Sequence, residues 1–322
     1  MRYPGGPEFP EHLDEAFRRA VRLEWVSVAY WISIITLLYF TLGQSQAMKA
    51  AWIEDILGLF PPIAFLVAAR YRSRPPTAKF PWGYHRAISI AYVVATLALC
   101  VLGLFLLLDS AEKLITGVHP PIQLVEILGQ EIWLGYLMIG ALVYGIVPPV
   151  ILGHKKKQLA ADLHDKVLFA DAKMNRADWL TAGAAILGIA GIGAGLWWAD
   201  AVAAIVISLD ILHDGVRYLR AAVRELMDEA PTTYDEEKPD PVVDELRERV
   251  SRAAWIGDFA LRAREEGHLL DVDVFAVPAE GVDVAQVEEL IRELREVHWR
   301  VHDVSVTPVA NIDGAPDATR RA

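Results

Sequence analysis

Cysteine is nearly absent from this chain of 322 residues: the one present, Cys100, lies inside an apolar run, so no intrachain disulfide can form and packing is its simplest role. Also missing are a Walker loop, a GxGxxG turn, an HExxH pair, any internal repeat, and any nucleophile paired with a base. Nothing therefore points to an enzyme. Basic residues are in deficit, 31 against 42 acidic ones, and a net charge of −11 argues against nucleic acid. The N-terminal stretch lacks the basic-then-apolar order of a signal peptide, and is expected to remain on the mature protein.

What the chain has in excess is apolar length. It is 54% hydrophobic, with mean hydropathy +0.28, which is too apolar for one soluble domain and too polar for membrane spans alone. The composition changes near Pro231. Before it, six segments reach the length that crosses a bilayer core: 23–42, 47–71, 87–108, 132–152, 167–196 and 199–219. Arg18, Arg19 and Arg22 precede the first. Arg72, Arg74, Lys79 and Arg86 follow the second, Lys155, Lys156 and Lys157 the fourth, and Arg217, Arg220 and Arg224 the sixth. By the positive-inside rule both termini are cytoplasmic. After Pro231 the periodicity reads helix, strand, strand, helix, strand, and an antiparallel sheet covered by helices on one face is expected. The expected fold is an α-helical membrane protein, a six-helix transmembrane bundle followed by a small cytoplasmic α+β domain of αββαβ, ferredoxin-like type. The divisions are an arm over 1–22, the bundle over 23–224, the αββαβ domain over 225–310 and a disordered tail over 311–322.

Four stretches in register, "RYRSRPPTAKFPWGYHRAISIA", "LLLDSAEKLITGVHPP", "FADAKMNRADWLTA" and "WWADAVAAIVISL", resemble the cation diffusion facilitator (cation efflux) family over about residues 20–308. The resemblance implies a homodimeric exporter of divalent transition metals, usually run against protons, with a tetrahedral site between helices two and five. On each helix the family places an acid or histidine and, four residues on, an aspartate. Here those positions are Glu54 and Gly58, and Met174 and Asp178. Two match in chemistry and two do not, so the usual zinc site is altered.

Residues four apart share a helix face, so each pair can line one cavity. Gly58 follows Gly43 by fifteen residues and Asp178 precedes Gly195 by seventeen, which puts them at depths of roughly 22 and 25 Å. Glu54 and the adjacent Asp55 point about 100° apart, so at most one takes the centre. Register favours Glu54, with Asp55 beside it or carrying protons; either one can instead pair with Lys173 or Arg176. Pro61 and Pro62 deprive the carbonyls of Leu57 and Gly58 of their helical donors. A backbone carbonyl near Gly58 then replaces the missing carboxylate, or the kink is satisfied by water or a neighbouring helix. On helix five, Asp171, Met174 and Asp178 share one face and Asn175 flanks it. Carboxylate, amide, thioether and carbonyl together resemble in chemistry the ligands of the natural resistance-associated macrophage proteins. They favour Mn²⁺ or Fe²⁺ over Zn²⁺, with Met174 as mere packing the alternative. No permanent cofactor is implied; the metal is cargo.

Lys173 is the awkward residue. It can snorkel to headgroups, or act as an internal cation paired with Glu54 or Asp178, which would make the chain a non-transporting metal-binding or regulatory partner. His85 alone remains of the histidines and acid that relatives carry in the loop after span two, and Thr307 stands at the final-strand position of a family histidine. His268, Asp271, Asp273, His298, His302 and Asp303 are scattered candidates that a solvated acidic surface explains more simply. Arg86 and Asp228 occupy the positions that in relatives join membrane and cytoplasmic parts. Asp210, His213 and Asp214 are extras with helical spacing, read as a pair with a neighbouring helix or as a metal or proton site.

Overall fold

The computed structural model describes residues 10–41, 52, 55–72, 74–117, 124–127, 130–193 and 199–314. Six long helices come first: α1 (Glu11–Thr41), α2 (Phe60–Arg72), α3 (Arg86–Thr116), α4 (Leu134–Leu163), α5 (Lys166–Gly193) and α6 (Ala199–Leu226). They fall on the apolar segments, with α3, α4 and α6 running past the expected ends to Thr116, Leu163 and Leu226, and three further differences appear. First, α1 starts at Glu11, because the charged residues ahead of the apolar run keep helical spacing: Asp14 and Glu15 pair with Arg18 and Arg19 at i+4. Second, helix two is interrupted. Residues 55–58 are helical, Leu59 forms a turn, and α2 resumes at Phe60 with Pro61 and Pro62 in its first turn. Prolines fit there, where no helical donor is needed. Third, β1 (Leu124–Ile127) and β2 (Gln130–Trp133) form an antiparallel hairpin between α3 and α4, so the fourth helix begins two residues later than its hydropathy suggested.

Among the described residues two stretches, Leu13–Tyr39 and Arg86–Thr116, are helices long and apolar enough to cross a membrane. The second is apolar on both faces. In α3, Ala91, Tyr92, Ala95, Leu99, Leu102 and Leu106 are buried while Ile90, Val94, Leu97, Val101, Leu104 and Leu108 are exposed. A helix with an apolar outward face needs an apolar solvent. The inward face of α3 packs on α6 with almost no gap. A Cβ on Gly103 would stand 2.6 Å from the Leu212 backbone, and one on Gly215 2.7 Å from Cys100 Cα. Small residues permit that approach, as is common between helices in lipid. Cys100 is a free, half-buried thiol serving this contact.

The last third is α7 (Pro241–Ser251), β3 (Ile256–Glu266), β4 (Leu269–Pro278), α8 (Val284–Val297) and β5 (Val301–Pro308). Asp240 caps α7 by accepting from Val242 N, and Asp283 and Gln286 form a capping box on α8. The αββαβ order is as read from periodicity, but the sheet is mixed and not antiparallel throughout. β3 and β4 are antiparallel, while β4 and β5 are parallel, because the α8 crossover returns the chain in the same direction. Leu270, Val272, Val274 and Ala276 bury alternate positions of β4 against Leu246, Val250, Leu290 and Leu294 of the helices. The β3–β4 turn docks on the bundle. Gly267 (φ +67°) brings its nitrogen to Ser89 Oγ at 3.1 Å, and a Cβ there would meet the His85 carbonyl at 2.8 Å. That contact sets the αβ domain against the ends of α3 and α5.

Candidate metal path and its domain clamp

Helix α5 carries most of the candidate ligands, and its start is fixed by the αβ domain. Asp165 caps it, Oδ1 accepting from Leu168 N at 2.9 Å, and its other oxygen lies 2.6 Å from His268 Nε2 in the β3–β4 turn. The next residue, Lys166, is paired with three carboxylates: Glu265 (2.5 Å), Glu236 (2.7 Å) and Glu225 (3.2 Å). Arg300, 1% exposed, reaches Glu265 at 2.5 Å, pairs with Asp240, and donates to the His268 carbonyl at 3.1 Å and to His164 Nδ1 at 3.2 Å. His164 therefore carries its proton on Nε2, which donates to the Thr232 carbonyl at 3.1 Å.

His164, Asp240 and Glu265 offer ligand atoms within 4.8 Å of one another, the one such group found among the described residues. Arg300 bonds to all three, so the guanidinium already supplies the charge that a metal would bring. Burial opposes ionisation of Glu265, yet Lys166, His164 and Arg300 hold its carboxyl far below the usual range. Burial pushes Glu225 up to about 7, with Lys166 opposing the shift and Glu265 adding to it.

The sign for Glu225 follows directly. A carboxyl raised in the folded state binds more protons folded than unfolded between pH 4.5 and about 7, so stability falls as pH rises through that window. Glu225→Gln is expected to flatten this slope and raise the melting temperature at pH 7.5, but not at pH 4. Thermal melts of the detergent-solubilised chain check it; equal shifts at both pH values would refute it.

Asp178 sits deeper along α5, 7% exposed. Asp55 is half-buried, and Tyr30 of α1 lies within electrostatic reach of both carboxylates. Glu54, favoured by register, lies outside the described residues. Gly58 is buried against the Trp31 ring, whose Cζ2 would stand 2.8 Å from an added Cβ. The Leu59 turn follows immediately, and Leu59 N bonds to the Ile56 carbonyl three residues back. With Pro61 and Pro62 in place, the Leu57 and Gly58 carbonyls receive no donor from those two residues. Met174 is fully buried inside the main apolar cluster, where packing accounts for it. Asp171 and Asn175 are buried and bound to each other: Asn175 Nδ2 donates to Asp171 Oδ1 at 2.9 Å and to its carbonyl at 2.8 Å.

Lys173 is the partner of Asp214 on α6, at 2.8 Å, and lies over the rings of Phe169 and Tyr218. It points about 140° around the helix from Asp178, since five residues separate them. Arg176 similarly meets Asp210 at 3.3 Å. Asp210 and Asp214, two of the three polar extras of α6, thus pair with α5. The internal cation is instead Lys156, which the sequence reading placed among loop charges. It is 0% exposed and binds Asp171 at 2.6 Å and Glu24 at 3.0 Å. A signal for both was available. Leu152, Lys156, Ala160 and Leu163 share one helical face, as do Ala20, Glu24, Ser27 and Trp31, and every one of these is buried.

Arg86 and Asp228 meet at 2.6 Å, with Glu266 3.4 Å from Arg86. His85 is buried, its ring centroid 5.3 Å from that of His302; burial and the neighbouring His302 push it down to about 4, so it is neutral. The scattered candidates divide. Asp271, Asp273 and Asp303 pair with Arg264, Arg262 and Arg295, and His298 accepts from Arg300 N. His268, 2% exposed, is the one a solvated surface does not explain: it is buried because it holds the α5 cap.

A profile described as the cation efflux transmembrane domain matches residues 25–227, which include most of the bundle and Glu54, Asp55, Gly58, Asp171, Met174, Asn175 and Asp178. The chain belongs to the cation efflux family. Members of it are transporters, not enzymes. The chain is 24% identical over 286 residues to the manganese efflux system protein MneS of Bacillus subtilis, covering 88% of this chain and 92% of that one. It is 23% identical over 272 residues to MneP of the same organism, also a manganese efflux system protein, covering 81% and 84%. The cation-efflux pump FieF of Yersinia pestis is 24% identical over 280 residues, covering 85% and 87%. Metal cation export is therefore the activity of this cation efflux protein, and among the described residues helix α5 buries three oxygen-bearing candidates, Asp171, Asn175 and Asp178.

Proposed function

We propose that the protein exports Mn²⁺ from the cytoplasm, with Fe²⁺ and Co²⁺ as secondary cargo and Zn²⁺ disfavoured. It works as a homodimer in the inner or plasma membrane, by cation/proton antiport. Six spans place both termini in the cytoplasm, the bundle running over 23–224 and the αββαβ domain over 225–310. The observation that carries this reading is Asp178, a carboxylate buried inside the matched bundle on a face with Asp171 and Asn175. A carboxylate at such depth is expensive unless it serves an ion or a partner. The site lies between helices two and five. Metal passes Asp171 and is held by Asp178 and Glu54, with Asn175, Asp55, Met174 and the Gly58 carbonyl around them. Oxygen donors dominate and histidine is absent, which suits Mn²⁺ better than Zn²⁺. The manganese efflux activity named for two relatives agrees with that choice. Protonation of the carboxylates from the outside removes their charge and releases the metal. Arg86 and Asp228 couple the two parts of the chain.

The test is uptake into proteoliposomes holding Mn²⁺, Fe²⁺, Co²⁺ or Zn²⁺ on the side of the αβ domain, with an imposed proton gradient. Mn²⁺ flux that collapses with the gradient is expected. No cation-dependent flux would overturn the reading, and Zn²⁺ flux exceeding Mn²⁺ would overturn the choice of metal.

A further inference from the structure

Beside the αβ domain, three helices bring four polar side chains into one place: Glu24 of α1, Lys156 of α4, and Asp171 and Asn175 of α5. All are 0–1% exposed. Lys156 Nζ lies 3.0 Å from Glu24 Oε2 and 2.6 Å from Asp171 Oδ2. Asn175 Nδ2 donates to Asp171. Two oxygens remain over. Glu24 Oε1 and Asn175 Oδ1 are buried and meet no donor among the described residues.

The charges do not balance around the lysine. With two carboxylates to one ammonium, full ionisation leaves one negative charge in excess, and an uncompensated buried charge costs several kcal/mol. A divalent cation neutralises both carboxylates, and it uses the two oxygens that the lysine leaves over. The donor set is then all oxygen, the preference of Mn²⁺ and other hard divalent ions. Lysine suits the part of a substitute because its charge is compact and its stem flexible, where arginine would present a planar fork. The stem is also aimed: α4 approaches α5 so closely at Gly153 that a Cβ there would stand 3.2 Å from Asn175 Cβ. Asp171 lies seven residues, roughly 10 Å, from Asp178 along the helix.

Building on the transport reading, we propose that Glu24, Asp171 and Asn175 form a cytoplasm-side station for the exported divalent cation, with Lys156 as its tethered counter-ion. The metal displaces the ammonium on entry. When the metal moves on to Asp178 the ammonium returns and closes the way back.

The test separates station from transport. Full-length protein in detergent, carrying Asp178→Asn so that the deeper site is weakened, is titrated with Mn²⁺ by electron paramagnetic resonance. Adding Glu24→Gln is expected to weaken the remaining Mn²⁺ binding by about 10-fold or more, and adding Lys156→Met to tighten it by a similar factor. The combination of Glu24→Gln with Lys156→Met leaves one carboxylate, Asp171, and no lysine, and is expected to bind Mn²⁺ more tightly than Glu24→Gln alone, with gel filtration and melting temperature checking that each variant is folded. In an otherwise wild-type chain in proteoliposomes, Lys156→Arg keeps the charge and is expected to raise the KM for Mn²⁺ with less effect on kcat. Mn²⁺ binding unchanged within twofold by both single variants would overturn the station and make Lys156 a structural ion pair, even if wild-type flux is normal. Absent wild-type flux with Glu24-dependent binding intact would overturn the transport reading and leave the station standing.

Discussion

Arg300→Met is expected to destabilise the αβ domain by about 3–5 kcal/mol, the cost of removing one partner from a buried ion pair. The side chain is 1% exposed and serves Asp240, Glu265, His164 and the His268 carbonyl at once. Methionine fills much of its volume but leaves Glu265 with Lys166 and Asp240 with no guanidinium. The two carboxylates cannot rehydrate without opening the domain. Because Asp240 also caps α7 and His268 also holds the α5 cap, the loss spreads to both helix starts. Arg300→Lys is expected to recover only part of the stability, since an ammonium cannot make the forked contact. Melting curves of the three proteins, followed by circular dichroism, check it. A loss below about 1 kcal/mol for the methionine variant, the scale of an exposed pair, would show the network to be hydrated.

That network also marks where sequence reading stops. Hydropathy located the helical first two thirds of the described residues, and alternation located the three strands that follow, because both follow from periodic burial. The register of parallel β4 and β5 was not legible, since a crossover helix and a return hairpin leave similar patterns within the strands themselves. Lys156 illustrates the harder failure. Counted by composition it is one of three consecutive lysines outside a span, and two of them, Lys155 and Lys157, are indeed exposed. Its burial depends on Asp171 fifteen residues later and Glu24 far earlier, and no local pattern links those three. Lys173 erred in the opposite direction. It stands beside the candidate ligands in sequence, yet helical rotation carries it to α6 and Asp214. The burial of Asp178 was legible because it lies inside an apolar run, at a position the family pattern names.

Asp178→Asn is expected to lower Mn²⁺ flux by at least about 100-fold, since even residues outside the direct ligands commonly cost 10–100-fold in metal affinity. The substitution keeps size and hydrogen-bonding shape while deleting the charge that binds the metal and accepts the proton. Both halves of an antiport cycle then fail together. The metal loses its principal anionic ligand, and the site loses the protonation that ejects the metal. A purely structural Asp178 predicts something different. Asparagine would then be tolerated or even stabilising, because a neutral amide is cheaper to bury than a carboxylate. Proteoliposome flux and melting temperature, measured on the same preparation, separate the two. Flux lost with melting temperature kept or raised identifies Asp178 as the working ligand of the transport step. Flux retained within about threefold removes it from the path, and the buried oxygens of Asp171, Asn175 and Glu24 would then carry the metal without it.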